Sequence, residues 1–201
     1  MTARLSRDQL LRRGAVGGGA LVLSGSVVAA LARRAAAATI PDADLAYLRL
    51  LIGAELLAGD FQTQALASGK LSRQSATAIR KMAADEKAHY AGLAQLLTAA
   101  GQVPATADDI DFVYARGSFA SSTSILKLAA QIETLVLGTY LGAIENVQTP
   151  ELRLPIGQIA ANEAQHVGAV AVLAGRNAIG RAFAASLSID AASAALDRFE
   201  S

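Results

Sequence analysis

Asp85-Glu86-Lys87-Ala88-His89 and Asn162-Glu163-Ala164-Gln165-His166 contain the chain's two histidines, each set three residues after a glutamate. Glutamate is scarce, seven in 201 residues. Chance would put one ahead of both histidines on the order of once in a thousand trials. The surroundings of both motifs read as helix. Ile79, Met82, Glu86, His89, Leu93 and Leu96 fall on one heptad stripe, and Ile156, Ile159, Glu163, His166, Val170 and Leu173 repeat it at an offset of 77. In each stripe a carboxylate and an imidazole interrupt an apolar seam. Residues three apart on a helix lie roughly 60° apart around the axis with a rise of ~4.5 Å, so the two groups can converge on one ion.

The segments preceding these stripes match each other as well. Leu48, Leu51, Glu55, Ala58 and Gln62 align with Leu126, Ala129, Glu133, Val136 and Tyr140 at an offset of 78. The chain therefore reads as a duplicated helical hairpin, each half contributing one lone Glu and one Glu-x-x-His. Composition agrees: 53% hydrophobic residues with only 4% aromatics describes an aliphatic, alanine-rich core suited to helices. Four prolines leave little punctuation for a meander of short strands.

The expected helices run from Pro41-Asp42 to about Ser68, from a Ser72 cap to about Ala100, from about Phe119 to Val147, and from about Leu154 to Ile179. Gly69-Lys70 and a break at Pro150 make short links. Residues 101–118, with Pro104, Gly117 and the acidic group Asp108, Asp109 and Asp111, make a long one. A 25-residue helix is ~38 Å long, and an 18-residue extended segment reaches ~60 Å. The middle link can thus cross the whole length of a bundle. The predicted fold is an all-α antiparallel four-helix bundle with one long crossover between helices 2 and 3. A short C-terminal helix is expected through Ile189, Leu196 and Phe199. The acidic group reads as a solvated loop and helix cap, and Tyr90 points away from the histidine seam.

Residues 1–38 read as an export signal and 39–201 as the folded domain. Arg4, Arg7, Arg12 and Arg13 precede an uncharged stretch from Gly14 to Ala32, and Ala35–Ala38 offers small residues for cleavage. Ser6-Arg7-Asp8-Gln9-Leu10-Leu11-Arg12 resembles the twin-arginine export signal, with Asp8 standing where the second arginine belongs. If retained, residues 14–32 are long enough to anchor the chain in a membrane. Six of the 18 Lys and Arg and one of the 17 acidic residues lie in residues 1–38, so the remainder carries 12 basic against 16 acidic residues. Nothing there favours nucleic acid.

The chain has no cysteine, so a metal site must be built from carboxylate and imidazole. Four carboxylates in a bundle core would repel one another and lose hydration, at several kcal/mol per ion unless paired or protonated. Two divalent cations would neutralise them. That donor set suits iron or manganese, with zinc also compatible.

At these residues the chain resembles the ferritin-like superfamily, and within it the exported bacterial ferritin-like domain proteins related to plant desiccation-associated proteins. The resemblance rests on Ala54-Glu55-Leu56-Leu57-Ala58-Gly59-Asp60-Phe61, Asp85–His89, Ile132-Glu133-Thr134 with Tyr140-Leu141-Gly142-Ala143, and Asn162–His166. It implies that Glu55, Glu86 and His89 serve one metal and Glu133, Glu163 and His166 the other, with Glu86 and Glu163 bridging. Gln62 stands where the family often carries Tyr. Tyr140, two turns beyond Glu133, is either a core residue with its hydroxyl satisfied or a donor or redox-active group behind the ligands. The expected function is oxidation of ferrous iron by dioxygen or peroxide outside the cytoplasmic membrane. Manganese catalase-like peroxide removal and a non-catalytic, stress-protective metal-binding bundle are the alternatives, and a homo-oligomer fits any of them.

Overall fold

The computed structural model describes residues 40–201, so the signal and anchor readings of the N-terminal segment lie outside the described residues. The described residues form five α-helices and no strand: α1 (Asp42–Ala67), α2 (Arg73–Ala99), α3 (Ser122–Asn146), α4 (Pro150–Leu173) and α5 (Ile189–Leu196). α1 packs along α2, α3 along α4, and α1 against α3, which closes a four-helix bundle of two antiparallel hairpins. Most of the core stripe read from the heptads is buried as expected: Leu48, Leu51, Ile79, Leu93, Ile156 and Val170 are fully covered, and only Leu173 near the end of α4 is half-buried. Each such large aliphatic side chain stabilises the fold by roughly 1.5–3 kcal/mol.

Helix ends follow local chemistry. Ser72 caps α2 by accepting from the Ser75 amide at 3.1 Å. α3 begins three residues later than the Phe119 expectation, because Ser121 and Ser124 form a reciprocal capping box and Phe119 stays in the crossover, stacked on Phe61. α4 differs more. It starts at Pro150, not Leu154, since a proline at the first helical position gives up only an amide that has no partner anyway. It ends at Leu173 instead of Ile179. Gly175 takes φ +70°, and Arg176 N donates to Ala171 O at 2.8 Å while Gly175 N donates to Val172 O at 2.9 Å, a Schellman stop.

The long link from α2 to α3 is held down at several points. Tyr90 Oη, which does point away from the histidine seam, donates to Ala105 O at 3.0 Å, and Asp109 caps a 3₁₀ turn over Ala107–Asp109 by accepting from Thr106 N at 2.8 Å. Tyr114 then packs on Phe61, Phe119 and Phe199, and its hydroxyl donates to Asp60 at 2.7 Å. The crossover also pairs with the chain's C-terminal end, where Val113 N donates to Phe199 O at 2.7 Å.

Two further contacts tie the bundle together. Buried Asp44 at the start of α1 accepts from Gln148 N at 2.9 Å and Thr149 N at 2.7 Å, fixing the α3–α4 turn. Hydrogen bonds to a charged group of this kind contribute ~1.5–3 kcal/mol each. The segment leading into α5 crosses α3 over Gly138 and Gly142. A Cβ at 142 would sit 1.8 Å from Leu187 O, so this backbone approach requires glycine. No helix among the described residues is long and apolar enough to cross a membrane.

Candidate metal centre

The heptad seams of α2 and α4 turn inward at one level of the bundle, and the lone glutamates of α1 and α3 meet them there. Glu55, Glu86, His89, Glu133, Glu163 and His166 are all buried, none more than 7% exposed. They form two overlapping groups: Glu55, Glu86, His89 and Glu163, then Glu86, Glu133, Glu163 and His166. Within each group one ligand atom per residue lies within 4.8 Å of every other. Glu86 and Glu163 belong to both, the positions at which the resemblance put bridging carboxylates.

Both imidazoles turn Nδ1 to the centre. His89 Nδ1 lies 2.9 Å from Glu163, 3.2 Å from Glu86 and 3.5 Å from Glu55. His166 Nδ1 lies 3.2 Å from Glu86, 3.4 Å from Glu163 and 3.5 Å from Glu133. Despite this crowding, Glu55 Oε2, Glu133 Oε2, both oxygens of Glu163 and His166 Nδ1 are buried without a hydrogen-bond partner. Buried polar atoms are ordinarily paired, and each orphan costs ~1–3 kcal/mol. Ligand atoms arranged around a shared cation, instead of around one another, produce this pattern. Carboxylate oxygen and neutral imidazole nitrogen are the donors that iron and manganese accept, so the residues present fit a pair of divalent ions.

Electrostatics agree with that fit. Burial pushes the Glu55 carboxyl well above the usual range, reinforced by the charges of Glu86 and Glu163. Burial with the same two charges raises Glu133 to about 7. Burial acts to lower His89, but Glu163, Glu55 and Glu86 outweigh it and raise the imidazole to about 12. His166 is raised by its own carboxylates against the same burial effect. For Glu86 burial is outweighed by the two histidines, which hold it well below its ordinary value. Without a cation, protons perform the neutralisation.

Metal binding must therefore displace protons. In calorimetry at neutral pH, cation binding is expected to release them, giving an enthalpy that varies with the buffer's ionisation enthalpy. A buffer-independent enthalpy would contradict the competition. The metal-free chain should show the matching trend in stability. Glu133 and His89 have folded-state values raised from 4.5 to about 7 and from 6.5 to about 12, so their contributions are present at low pH and are lost as pH rises through those ranges. Glu86, lowered, has the opposite sign, and its contribution is lost only on acidification. Above neutral pH the metal-free melting temperature falls, while the stabilisation gained on adding metal grows.

Behind the ligands stand groups that repeat the internal duplication. Tyr140 of α3 donates its hydroxyl to Glu55 of α1. Gln62 of α1, its counterpart in the repeat, donates Nε2 to Glu133 of α3 at 3.3 Å and to Glu86 at 2.9 Å. Tyr140 is thus both core and donor, and burial beside Glu55 raises its hydroxyl well above the ordinary range, so it stays a donor. His166 Nε2 faces Asp85 at 3.4 Å, an outer carboxylate that orients the ring. The sequence reading missed the roles of Gln62 and Asp85. The offset of 78 that pairs Gln62 with Tyr140 was the available signal.

A four-helix bundle carrying two Glu and two Glu-x-x-His contributions at one buried level is compatible with a carboxylate and histidine site for divalent metal. The sequence model of the ferritin-like domain matches residues 43–176, and the chain belongs to that family. No curated protein matches it.

Proposed function

We propose that the protein binds two iron or manganese ions on Glu55, Glu86, His89, Glu133, Glu163 and His166 and oxidises ferrous iron with dioxygen or peroxide. The observation that carries this reading is the pair of overlapping ligand groups sharing Glu86 and Glu163, with five of their buried atoms otherwise unpartnered. When bound, such an ion pair supplies two one-electron valence changes at adjacent positions. With peroxide the balance is two ferrous ions oxidised for one peroxide reduced to two hydroxide ions.

The protein's own part is to bind, orient and neutralise. The four carboxylates offset the charge of two divalent ions, and the neutral imidazoles add donors without adding charge. Tyr140 and Gln62 fix Glu55, Glu86 and Glu133 in place, so little reorganises as charge changes at the centre. Leu51, Phe61, Ile132 and Ile159, buried on the same helices as Glu55, Glu133 and Glu163, add an apolar core that limits bulk water. Arg4, Arg7, Arg12 and Arg13, followed by the uncharged stretch from Gly14 to Ala32, support action outside the cytoplasmic membrane.

Anaerobic ferrous loading followed by addition of oxidant tests this. Ferric absorbance should develop faster than in buffer, with oxidant consumed in step. A loaded protein that oxidises iron no faster than buffer would overturn the redox reading. If the chain instead retained manganese and dismutated peroxide, the metal centre would stand and the reaction would be reassigned.

A further inference from the structure

α1, α2 and the crossover leave a pocket beside the buried centre. The pocket, of about 650 Å³, lies between them, and Glu55 and Glu86 are among its lining residues. Two of its lining residues are small, Gly59 from α1 and Ala83 from α2. A Cβ at Gly59 would meet nothing within 4 Å, so the space is real on the helix surface. Elsewhere the bundle is filled by fully buried leucine, isoleucine and phenylalanine. Interiors are close-packed, and a gap over buried carboxylates forgoes contacts that a larger residue at 59 would supply.

The pocket grades from exposed to buried acid. Asp108, on the 3₁₀ turn of the crossover, is exposed; Asp60 is half-buried; Glu55 is 2% exposed and keeps Oε2 without a partner. Asp60 uses one oxygen for Tyr114 and Gln64, at 2.7 and 2.9 Å. Lys87 is the single basic residue of the lining. We propose that this pocket is the route by which a hydrated divalent cation reaches the centre, arriving first at the position formed by Glu55, Glu86, His89 and Glu163. The small walls admit the hydrated ion, the outer carboxylates attract it, and Glu55 replaces part of its water.

The inference rests on the metal centre but not on its redox chemistry, and cobalt(II) uptake by the full metal-free chain tests it independently of oxidation. Ligand-field absorption of the bound ion, followed by stopped flow, gives the filling rate. Gly59→Leu and Ala83→Leu, which fill the pocket from opposite walls, are each expected to slow filling about ten-fold or more, because entry then awaits a conformational opening. Final stoichiometry and helical circular dichroism should be unchanged. Gly157→Leu, at another open glycine on α4 away from the pocket, should fill at the unmodified rate. Asp108→Asn should slow filling several-fold and weaken its dependence on ionic strength. Unmodified filling rates in both plugged variants would overturn the entrance while leaving the centre standing. No cobalt uptake by the unmodified chain would overturn both. Slowed cobalt filling in a chain that oxidises no iron would uphold the entrance and sink only the redox reading.

Discussion

Glu163→Ala is expected to empty both ion positions, whereas Glu133→Ala should empty one. Glu163 belongs to both ligand groups, while Glu133 belongs only to the group around His166. Removing a shared carboxylate takes a donor and a compensating negative charge from each ion. The remaining histidines, held 3.2 Å from Glu86 on either side, then compete for it as imidazolium groups. Affinity at both positions should fall by more than the ~10–100-fold typical of losing a group behind the ligands. Glu133→Ala leaves Glu55, Glu86, His89 and Glu163 intact, so one ion per chain should persist. Metal content measured on both variants after identical loading checks this, and equal losses would contradict the division into shared and private ligands.

The second large effect concerns the donors behind the ligands. Tyr140→Phe should weaken the Glu55 position, and Gln62→Leu the Glu133 position, each by ~10–100-fold in metal affinity. Tyr140 donates to Glu55 alone, and Gln62 divides its amide between Glu133 and shared Glu86. The Gln62 variant should therefore also loosen the other position slightly, while the Tyr140 variant should not. Anaerobic competition against a chromophoric chelator, resolved into two binding steps, measures the difference. Unchanged affinity in both variants would mean that packing alone holds the carboxylates.

Much of this centre was legible in the sequence because its constraints are local. A Glu-x-x-His pair on an apolar heptad stripe is decided by helix periodicity, and the duplication showed which lone glutamates, Glu55 and Glu133, complete it. All six candidate ligands meet at one level. The bundle, its long crossover and the short C-terminal helix followed from the same periodicity and from link lengths. The misses were of two kinds. Helix ends at Pro150 and Gly175 depend on single-residue backbone geometry, where a proline opens α4 and a left-handed glycine closes it. The hold of Tyr114, Phe119 and Phe199 on the crossover, and of Asp85 on His166, depends on side chains far apart in sequence. No periodicity encodes such meetings. Gln62 illustrates the intermediate case: it stands where the resembling family often carries Tyr, and its place in the repeat opposite Tyr140 marks it as the matching donor.

Metal content of the full chain, loaded anaerobically with ferrous ion, freed of excess and read by plasma mass spectrometry beside the Glu86→Ala, Glu163→Ala double variant, tests the two-ion centre most directly. Two ions per unmodified chain and none in the double variant are expected. No retained metal in the unmodified chain, or the same content in both proteins, would contradict a centre built on these residues.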